Sequence, residues 1–427
     1  MPDLSLDQEE AIEAIFNSTS KDRVLTGPAG TGKTFMQKVL QERALDHWLN
    51  VQFIASTGRA ASRLRDSVDA PVLTAHAAVF GSVKEERKLV KQKDGKEEAV
   101  RTGKLIFGRE HAPCMPNTLL VCDEGGMVDA NLHKVLVRNL PKGSTLLYVG
   151  DREQLPPVEG TWGPDFDNPT AALTTVHRQA LESPIIRLAT SIRMNEPFEW
   201  GSGFENMGYD KGSADKGAQW LCGRRDACID ATLLTWTNTI RRRTNSKVRA
   251  LLGLGAHLAV GDKLVCLANN YSLGLMNGET VDVKRVEKLE LRPLDALAVW
   301  TEDDFFLVAP DLIGLTTTQF KDFQVELEAR YANPGVRQHD AEAISSLIEQ
   351  DPHDWHPDAK ELARMFLHVD YGFCLTVHKA QGSEWDEVGF MRCWALDKKA
   401  DTEPEFVRRL DYTAITRARR GLSIWDV

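Results

Sequence analysis

Short apolar runs alternate with segments of helical periodicity along the first half of the chain. Residues 24–26, 118–122 and 145–149 are apolar or β-branched, which is typical of strands buried in a parallel sheet. After the first run, apolar side chains recur at helical spacing at Phe35, Met36, Val39, Leu40 and Leu45. This alternation predicts an α/β fold in which helices cover a parallel sheet.

The pattern changes after about residue 190. Residues 231–238 are predicted to form a strand and the turn after it, and residues 261–267 open a β-rich section. Asn277-Gly278 predicts a hairpin turn before a strand at 279–286. From 317 to 370 the pattern becomes helical and acidic. A chain of 427 residues with these two halves is expected to contain more than one hydrophobic core.

The segment GPAGTGKT at residues 27–34 matches the phosphate-binding loop G-x-x-x-x-G-K-[ST], between a predicted strand and a predicted helix. In that setting backbone N–H groups and the helix N-terminus surround phosphates, Lys33 reaches the β and γ oxygens, and Thr34 ligates Mg²⁺. The predicted ligands of a nucleoside triphosphate are therefore Gly27, Pro28, Ala29, Gly30, Thr31, Gly32, Lys33 and Thr34.

Polar residues follow the other two predicted strands at once. Asp123 and Glu124 end the run at 118–122, and Gln154 lies shortly after 145–149. Ligands gather at the carboxyl ends of parallel strands, so these side chains are expected to face the phosphate loop. We predict that Asp123 holds Mg²⁺, that Glu124 deprotonates the attacking water, and that Gln154 senses the γ-phosphate.

Composition narrows the class of protein. No run approaches the roughly 18 apolar residues of a membrane span, and the start MPDLSLDQEEAIEAIF predicts an acidic helix, so a cytoplasmic protein is expected, in the host cytoplasm if viral. The seven cysteines never have C-x-x-C spacing, which favours buried thiols over zinc or disulfides. Residues 301–364 hold 14 Asp/Glu against 5 Lys/Arg, so most of the net charge of −10 is local and nucleic-acid partners stay possible.

Five segments in order resemble the motifs of superfamily 1 class B DNA helicases, the family of phage Dda and bacterial RecD. They are GPAGTGKT at 27–34, VCDEGG at 121–126, GDREQLPPV at 150–158, TVHKAQGS at 376–383 and YTAITRAR at 412–419, with shorter matches at 55–61, 74–76, 177–179 and 184–189. The resemblance covers nearly the whole chain. It implies two RecA-like lobes with ATP between them, a β-hairpin (pin) insertion in the first lobe, and an SH3-like barrel with an acidic helical insertion in the second.

The resemblance also implies domain boundaries. The first lobe would comprise 1–80 and 112–190, with the hairpin at 81–111. The second lobe would comprise 191–265 and 371–427, with the barrel and acidic arm at 266–370. Asp94-Gly95, between Leu89-Val90 and Ala99-Val100, is a hairpin signal, and in related helicases this place carries a pin that splits the duplex. An exposed charged hairpin without a role is the alternative.

Several site residues follow only from the resemblance. Arg178 and Arg417 occupy the positions of arginines that offset transition-state charge, Gln8 matches a glutamine that reads adenine, and Gly382 and Arg417 lie in motifs that contact the nucleotide. The catalytic set is thus Lys33, Asp123, Glu124, Gln154, Arg178 and Arg417. Residues in positions that contact the backbone of single-stranded DNA are Thr57, Thr74, His76, Thr376, His378, Lys379 and Ser383. Trp236 either stacks a base or belongs to the core.

Two positions depart from the family pattern. Gly126 stands where relatives usually have a serine that connects the ATP state to the next motif, and Ser56 replaces a common proline. Neither change removes a group needed for hydrolysis.

The expected protein is a monomeric ATP- and Mg²⁺-dependent DNA helicase that acts on single-stranded DNA and on junctions with duplex. The family implies 5′ to 3′ movement. There are two alternatives. One is a translocase that displaces bound proteins with little unwinding, and the other is an ATP-switched accessory subunit whose acidic arm binds a replication or repair protein. An RNA substrate is a further alternative, since contacts to the backbone alone do not exclude 2′-hydroxyl groups.

Overall fold

The computed structural model describes residues 4–47, 49–68, 70–81, 84–91, 97–106, 110–157, 161–177, 182–196, 207–211, 214–268, 270, 273, 275, 277–291, 294–302, 304–348 and 357–427. Their helices are α1 (Leu6–Asn17), α2 (Lys33–Asp46), α3 (Gly58–Val68), α4 (Ala75–Phe80), α5 (Ala130–Arg138), α6 (Pro184–Arg193), α7 (Ala214–Asp226), α8 (Asn238–Leu251), α9 (Thr317–Tyr331), α10 (Pro334–Leu347), α11 (Ala359–Arg364), α12 (Trp394–Ala400) and α13 (Pro404–Ile415). Short 3₁₀ turns occur at Gly125–Met127, Pro310–Leu312 and Val377–Ala380.

The strands are β1 (Asp22–Thr26), β2 (Asn50–Ala55), β3 (Val72–Thr74), β4 (Lys84–Lys91), β5 (Glu97–Ile106), β6 (Thr118–Asp123), β7 (Thr145–Gly150), β8 (Ala171–Ala172), β9 (Met207–Lys211), β10 (Ala231–Thr235), β11 (Lys263–Cys266), β12 (Thr280–Asp282), β13 (Arg285–Leu291), β14 (Leu294–Trp300), β15 (Phe305–Val308), β16 (Val369–Tyr371), β17 (Cys374–Thr376), β18 (Trp385–Arg392) and β19 (Ala418–Asp426). The predicted strands at 24–26, 118–122 and 145–149 are confirmed as β1, β6 and β7.

The chain divides into two compact units. One comprises Met1–Gly212, Ile229–Trp236 and Thr376–Val427, and the other comprises Ser213–Cys228 and Thr237–Leu375. These units group the residues differently from the predicted lobes, since the predicted second lobe contributes to both. The two-lobe boundaries remain a prediction.

The first unit is built on a six-stranded parallel sheet in the order β3-β2-β6-β7-β1-β8. All six positions of β6 are buried, and successive side chains enter opposite faces. Leu119 and Val121 join a core with α1, α2 and α3, whereas Leu120 and Cys122 join a core with α4 and α5. Helices thus cover both faces of the sheet, which confirms the predicted α/β class.

The first unit also contains a second parallel array, in which β10, β18, β19 and β9 pair in that order. Its strand β10 confirms the strand predicted at 231–238. Strands β10 and β18 run parallel, and Thr235 near the end of β10 pairs with Met391 near the end of β18. The residues that follow the two strands therefore emerge at the same edge of the sheet. Trp236 and Trp394 are the aromatic residues that follow there.

The hairpin predicted between β3 and β6 is present in outline. Strands β4 and β5 pair antiparallel, with Leu89 opposite Ala99 and Lys91 opposite Glu97. The predicted turn residues Asp94 and Gly95 lie outside the described residues. The structure supports a two-stranded hairpin at this place in the chain.

The second unit combines two small antiparallel sheets with helices. One sheet has the order β12-β11-β16 and the other β13-β14-β15. Gly278 has a φ of 90°, which suits the predicted turn before β12. Helices α9, α10 and α11 confirm the helical pattern expected from 317 onward and share a core with the second sheet. No helix within the described parts of the chain is long and apolar enough to span a bilayer.

Candidate nucleotide-binding site

The phosphate loop joins β1 to α2, as predicted. Gly30 and Gly32 have φ values of 84° and 79°, a conformation that favours glycine, and a Cβ at Gly32 would lie 2.9 Å from His177 Nε2. The amide of Gly27 donates to the Gly150 carbonyl at 3.2 Å, so the loop is fastened to the end of β7. The Lys33 ammonium donates to the Gly27 carbonyl at 2.7 Å, which holds its charge inside the loop.

The acidic pair ends β6 beside this loop. The Gln37 amide donates to Asp123 Oδ1 at 2.9 Å and fixes that carboxylate. Burial raises the pKa of Asp123 and the neighbouring Glu124 raises it further, while Arg63 opposes both. Glu124 has a φ of 50° and a ψ of 40°, a left-handed conformation that is uncommon for a residue with a side chain. Such local strain is characteristic of functional positions.

A single arginine on α3 connects the carboxylates of the cleft. Arg63 lies 3.2 Å from Glu124 Oε1, 3.5 Å from Asp123 Oδ2 and 2.9 Å from Glu384 Oε1. Burial alone would lower the pKa of this guanidinium, but the three carboxylates raise it overall. Conversely, burial alone would raise the pKa of Glu384, and Arg63 and Arg417 lower it. The cleft therefore contains a continuous array of alternating charges.

Arg417 also lines the cleft. Its side chain is buried, and its guanidinium donates to the carbonyls of Thr413 at 3.1 Å and Ser383 at 3.2 Å. The second predicted arginine, Arg178, lies outside the described residues. The preceding His177 donates its amide to the Gly30 carbonyl at 3.1 Å, so this part of the chain reaches the phosphate loop.

These elements surround a cleft of about 460 Å³. It is lined by Ala29, Gly30, Gly32, Lys33, Thr34, Arg63, Asp123, Glu124, Gly150, Gln154, Ser183, Ile186, Glu384, Thr416, Arg417, Ala418 and Arg419. The structure thus brings together five of the six predicted catalytic residues, Lys33, Asp123, Glu124, Gln154 and Arg417. Cations, carboxylates and loop amides in one cleft suit a polyphosphate.

Thr34 and Asp123 are oxygen donors on this cleft and fit Mg²⁺, which prefers one or two protein oxygens with phosphates and water completing its shell. The described residues contain no group of three or more His, Cys, Asp or Glu that could hold a metal by themselves. When bound there, the ion would neutralise charge on the phosphate oxygens.

Gln8 and Gly382, which the family resemblance assigns to the nucleotide, are not among the residues that line this cleft. Gln8 is buried, and its amide nitrogen lies 3.3 Å from the Thr31 carbonyl of the loop and 3.0 Å from His177 Nε2. Its oxygen accepts from the Ser5 amide and caps α1. Gly382 has a φ of 75° and packs against Thr57 and Ala60.

The threonines that are predicted to contact DNA also form hydrogen bonds within the protein. Thr57 accepts from the Ala60 amide, Thr74 from the Ala77 amide and Thr376 from the Lys379 amide. Each therefore caps a helical turn, an N-terminal role that hydroxyl residues favour. One hydroxyl hydrogen remains on each for a further acceptor.

Sequence reasoning missed Arg63, Glu384, Asp151 and Tyr412. Arg63 follows Arg59 by one helical turn in a motif helix, and Glu384 directly follows Ser383, so proximity to the quoted motifs was a usable signal. The hydroxyl of Tyr412 donates to Asp151 at 2.6 Å and accepts from the Ala29 amide at 3.0 Å. No local pattern predicts that contact, because it joins residues 383 positions apart.

Comparison with known proteins agrees with this geometry. An AAA domain family matches residues 3–205, and a UvrD-like helicase C-terminal domain matches residues 371–424. The ATP-dependent RecD2 DNA helicase of Deinococcus radiodurans is 27% identical over 405 residues, which are 93% of this chain and 46% of that protein. The ATP-dependent DNA helicase dda of Enterobacteria phage T4 is 26% identical over 203 residues, 45% of this chain and 43% of that protein.

The RecD subunit of the RecBCD enzyme of Haemophilus influenzae is 22% identical over 457 aligned positions, covering 94% of this chain and 66% of that protein. The chain thus spans about half to two thirds of the length of these relatives. In fold, it resembles the crystal structure of Pif1 helicase from Candida albicans, with a TM-score of 0.50 and 17% identity over 100% of this chain and 94% of that one. Bacteroides Pif1 bound to ssDNA gives a TM-score of 0.50 and 16% identity over 99% and 92%.

The two domain families match both ends of the chain, the helicase relatives align along it, and the fold is shared with Pif1 helicase. Together these matches confirm the resemblance to helicases that the motifs indicate. The chain is similar in sequence to the RecD2, Dda and RecD helicases and similar in fold to Pif1 helicase.

Proposed function

We propose that this chain is an ATP-dependent DNA helicase that moves 5′ to 3′ along single-stranded DNA and couples hydrolysis to duplex unwinding. The cleft that unites Lys33, Asp123, Glu124, Gln154 and Arg417 carries the proposal. In it, the phosphate loop and Lys33 bind the triphosphate, Glu124 orients and deprotonates water, and Arg417 offsets charge that develops on the phosphoryl group. Gln154 reports whether the γ-phosphate is present.

The DNA track is proposed along the motif residues of the first unit. Arg59 donates to Ser383 Oγ at 2.9 Å, and Gly382 packs against Thr57, so the segments that carry two predicted DNA contacts meet. Burial lowers the pKa of His76, with Asp129 opposing, and lowers that of His378. Both imidazoles are therefore neutral near pH 7 and act as hydrogen-bonding groups at a sugar-phosphate backbone.

Aromatic side chains at the edge of β10 and β18 supply a surface on which bases stack. Trp236 and Phe406 have ring centroids 6.0 Å apart, and His378 stacks on Phe406 at 6.2 Å. Lys399 lies over both larger rings, and Trp394 is 63% exposed. Aromatic rings with nearby cations are typical of single-strand binding without sequence preference. Trp236 itself is partly exposed, which supports the stacking role over a place in the core.

The relatives support the substrate and the cofactor. Those named as ATP-dependent DNA helicases are RecD2 and Dda, and the similar Bacteroides Pif1 structure contains ssDNA. Mg²⁺ at Thr34 and Asp123, action at junctions, a monomeric state and cytoplasmic location belong to the same proposal. The direction rests on the family resemblance.

Unwinding of forked, 5′-tailed and 3′-tailed duplexes, with Lys33→Ala as control, tests the proposal. We expect ATP hydrolysis that rises on addition of single-stranded DNA, unwinding of the 5′-tailed and forked substrates, and loss of both activities in the control. Unwinding of only the 3′-tailed duplex would overturn the direction. Protein displacement without unwinding would favour the translocase, and tight binding with slow single-turnover hydrolysis would favour the accessory subunit.

The hairpin of β4 and β5 is proposed to be the pin that separates the strands. Its place between β3 and β6 and its antiparallel pairing support this role. Deleting residues 91–99 is expected to abolish unwinding and leave DNA-stimulated ATP hydrolysis unchanged. Unimpaired unwinding by that variant would contradict the assignment.

A further inference from the structure

One face of α13 holds the segment that carries Gln154. Arg408 pairs with Glu153 at 2.6 Å, and Arg409 donates to the Arg152 carbonyl at 2.9 Å. One turn further along the helix, Tyr412 contacts Asp151 and Thr413 contacts Leu155. Positions 408, 409, 412 and 413 lie one helical turn apart and share a face, so the contacts come from a single rigid surface.

The later turn of that face reaches both flanks of Gln154. Tyr412 donates its hydroxyl proton to Asp151 Oδ2 at 2.6 Å, and Thr413 Oγ1 accepts from the Leu155 amide at 3.0 Å. The Leu155 carbonyl in turn accepts from Gln381 at 2.9 Å. Residues 151, 152, 153 and 155 are thus tied to other elements by named contacts, and Gln154 projects from between them onto the cleft.

Tyr412 joins this segment to the phosphate loop. Its oxygen accepts from the Ala29 amide at 3.0 Å while its proton is directed to Asp151, so one buried hydroxyl binds both the phosphate loop and the segment that carries Gln154. Burial raises the pKa of Asp151, whereas the charge of Lys33 and the hydrogen bond from Tyr412 lower it. The Asp151 carboxylate therefore interacts electrostatically with the lysine of the phosphate loop. Without this hydroxyl, the Ala29 amide would lose its acceptor, and Asp151 would keep the Glu153 amide at 3.0 Å but lose the hydroxyl as a donor.

We propose that Tyr412 is a positioning residue for ATP hydrolysis, whose hydroxyl couples the phosphate loop to the Gln154 segment and fixes both to the helix that leads into Arg417. The helix ends at Ile415, two residues before Arg417. The distance between the γ-phosphate sensor and the arginine is therefore set by one rigid element. This inference rests on the proposed ATPase function and names a residue that the motif comparison does not assign to catalysis.

Tyr412→Phe removes the hydroxyl and keeps the ring. We expect kcat for DNA-stimulated hydrolysis to fall about 10- to 100-fold, with KM for ATP changed less than about threefold, because misplacement of catalytic groups lowers kcat. Tyr148→Phe is the matched control. Tyr148 is also fully buried, and its hydroxyl lies 3.0 Å from His133 Nδ1; neither of these two residues lines the cleft. That variant is expected to keep wild-type kcat.

A double-mutant cycle with Gln154→Ala separates positioning from general damage. If Tyr412 acts through Gln154, the double variant is no slower than Gln154→Ala alone, because the two residues act as a unit. Losses that multiply, an equal loss in Tyr148→Phe, or a Gln154→Ala variant with wild-type kcat would each overturn the proposal.

Hydrogen exchange of the peptide that covers 151–155 provides a readout that needs no activity. Faster exchange in Tyr412→Phe than in wild type and Tyr148→Phe is expected, and equal exchange would overturn the coupling. If the wild-type protein showed no ATP hydrolysis, the proposed function would fail, and the exchange result would still decide whether Tyr412 holds this segment.

Discussion

Two arginines that pair with carboxylates, one in each compact unit, have different roles: Arg249 is buried, and Arg63 is partly exposed. Arg249 in the second unit binds Asp262 with two parallel hydrogen bonds of 2.7 and 3.1 Å, donates to the His257 carbonyl, and stacks over Tyr371 at 4.0 Å. Asp262 is fully buried and also accepts from the Ala259 amide. Every charge in this pair is matched locally, which is the arrangement that makes a buried ion pair tolerable.

Arg63 in the first unit has no such exclusive partner. It is shared by Asp123, Glu124 and Glu384, which belong to two separate segments of the chain, at distances from 2.9 to 3.5 Å. Asp123 and Glu124 share this one guanidinium, whereas Glu384 also pairs with Arg419 at 3.3 Å. The comparison teaches that a buried charge in a one-to-one pair stabilises a fold, whereas a shared charge indicates a site that binds and reacts.

Glu124→Gln should give the largest effect on activity. The amide keeps the shape of the side chain but cannot take a proton from water, so kcat for ATP is expected to fall about 10²- to 10⁴-fold. The free energy of unfolding should change by less than about 0.5 kcal/mol, because the site is not built for stability. Phosphate release and urea unfolding measure the two quantities. A loss of stability as large as that of the next variant would break the comparison.

Asp262→Ala should give the largest effect on stability. It leaves Arg249 buried without its carboxylate, and removal of one partner from a buried pair costs about 3–5 kcal/mol. Asp282→Ala is the control, since Asp282 is 47% exposed and pairs with Arg225 at 3.5 Å. Such surface pairs contribute about 0–1 kcal/mol. Equal destabilisation by both variants in urea unfolding would refute the structural role of Arg249 and Asp262.

Arg63→Lys tests whether the shared ion pairs of Arg63 serve activity rather than stability. Lysine retains the charge but lacks the planar fork that reaches several carboxylates at once, so we expect kcat to fall about tenfold with little loss of stability. The same change in the second unit, Arg249→Lys, should instead lower the urea midpoint and leave kcat near wild type in native conditions. An exchange of these two outcomes would show that the roles are reversed.

Substitution of Lys360 should give the smallest effect, a change in how the stability of the protein depends on pH. Burial lowers the pKa of Lys360 to about 8, with Arg364 adding to the shift. Because the folded pKa lies below that of the unfolded chain, stability is lost as pH falls through about 8 and regained as pH rises towards about 10.4. Lys360→Met should remove this rise and raise Tm near pH 7 by about 2–4 °C. Thermal unfolding at pH 7.5 and 9.5 tests it, and a wild-type slope in the variant would argue against Lys360 as the cause.

Much of the first unit could be predicted because its signals are local. Strand β6 is an apolar run followed at once by Asp123, and the phosphate loop specifies its own strand and helix. Carboxyl ends of parallel strands must meet, so the convergence of Lys33, Asp123, Glu124 and Gln154 follows from the pattern. The family resemblance added Arg417, whose place on the cleft no periodicity could supply.

Contacts between distant segments could not be predicted in this way. The hydroxyl of Tyr412 and the guanidinium of Arg63 find partners in motifs far away along the chain, and no spacing rule specifies them. The hydroxyls of Thr57 and Thr74 were assigned to DNA by the resemblance, and their capping hydrogen bonds became visible only with the helices in place. The chain also divides into units that cut across the lobes expected from the family.

The left-handed backbone at Glu124 has a consequence for how this protein tolerates change. Glycine adopts that conformation without strain, so Glu124→Gly is expected to relieve the backbone at the very position where it eliminates the proposed base. Selection for stability and selection for turnover thus oppose each other at one residue. A library of variants sorted only for folding would be enriched in inactive sequences here, and position 124 would show a glutamate only where turnover is also required.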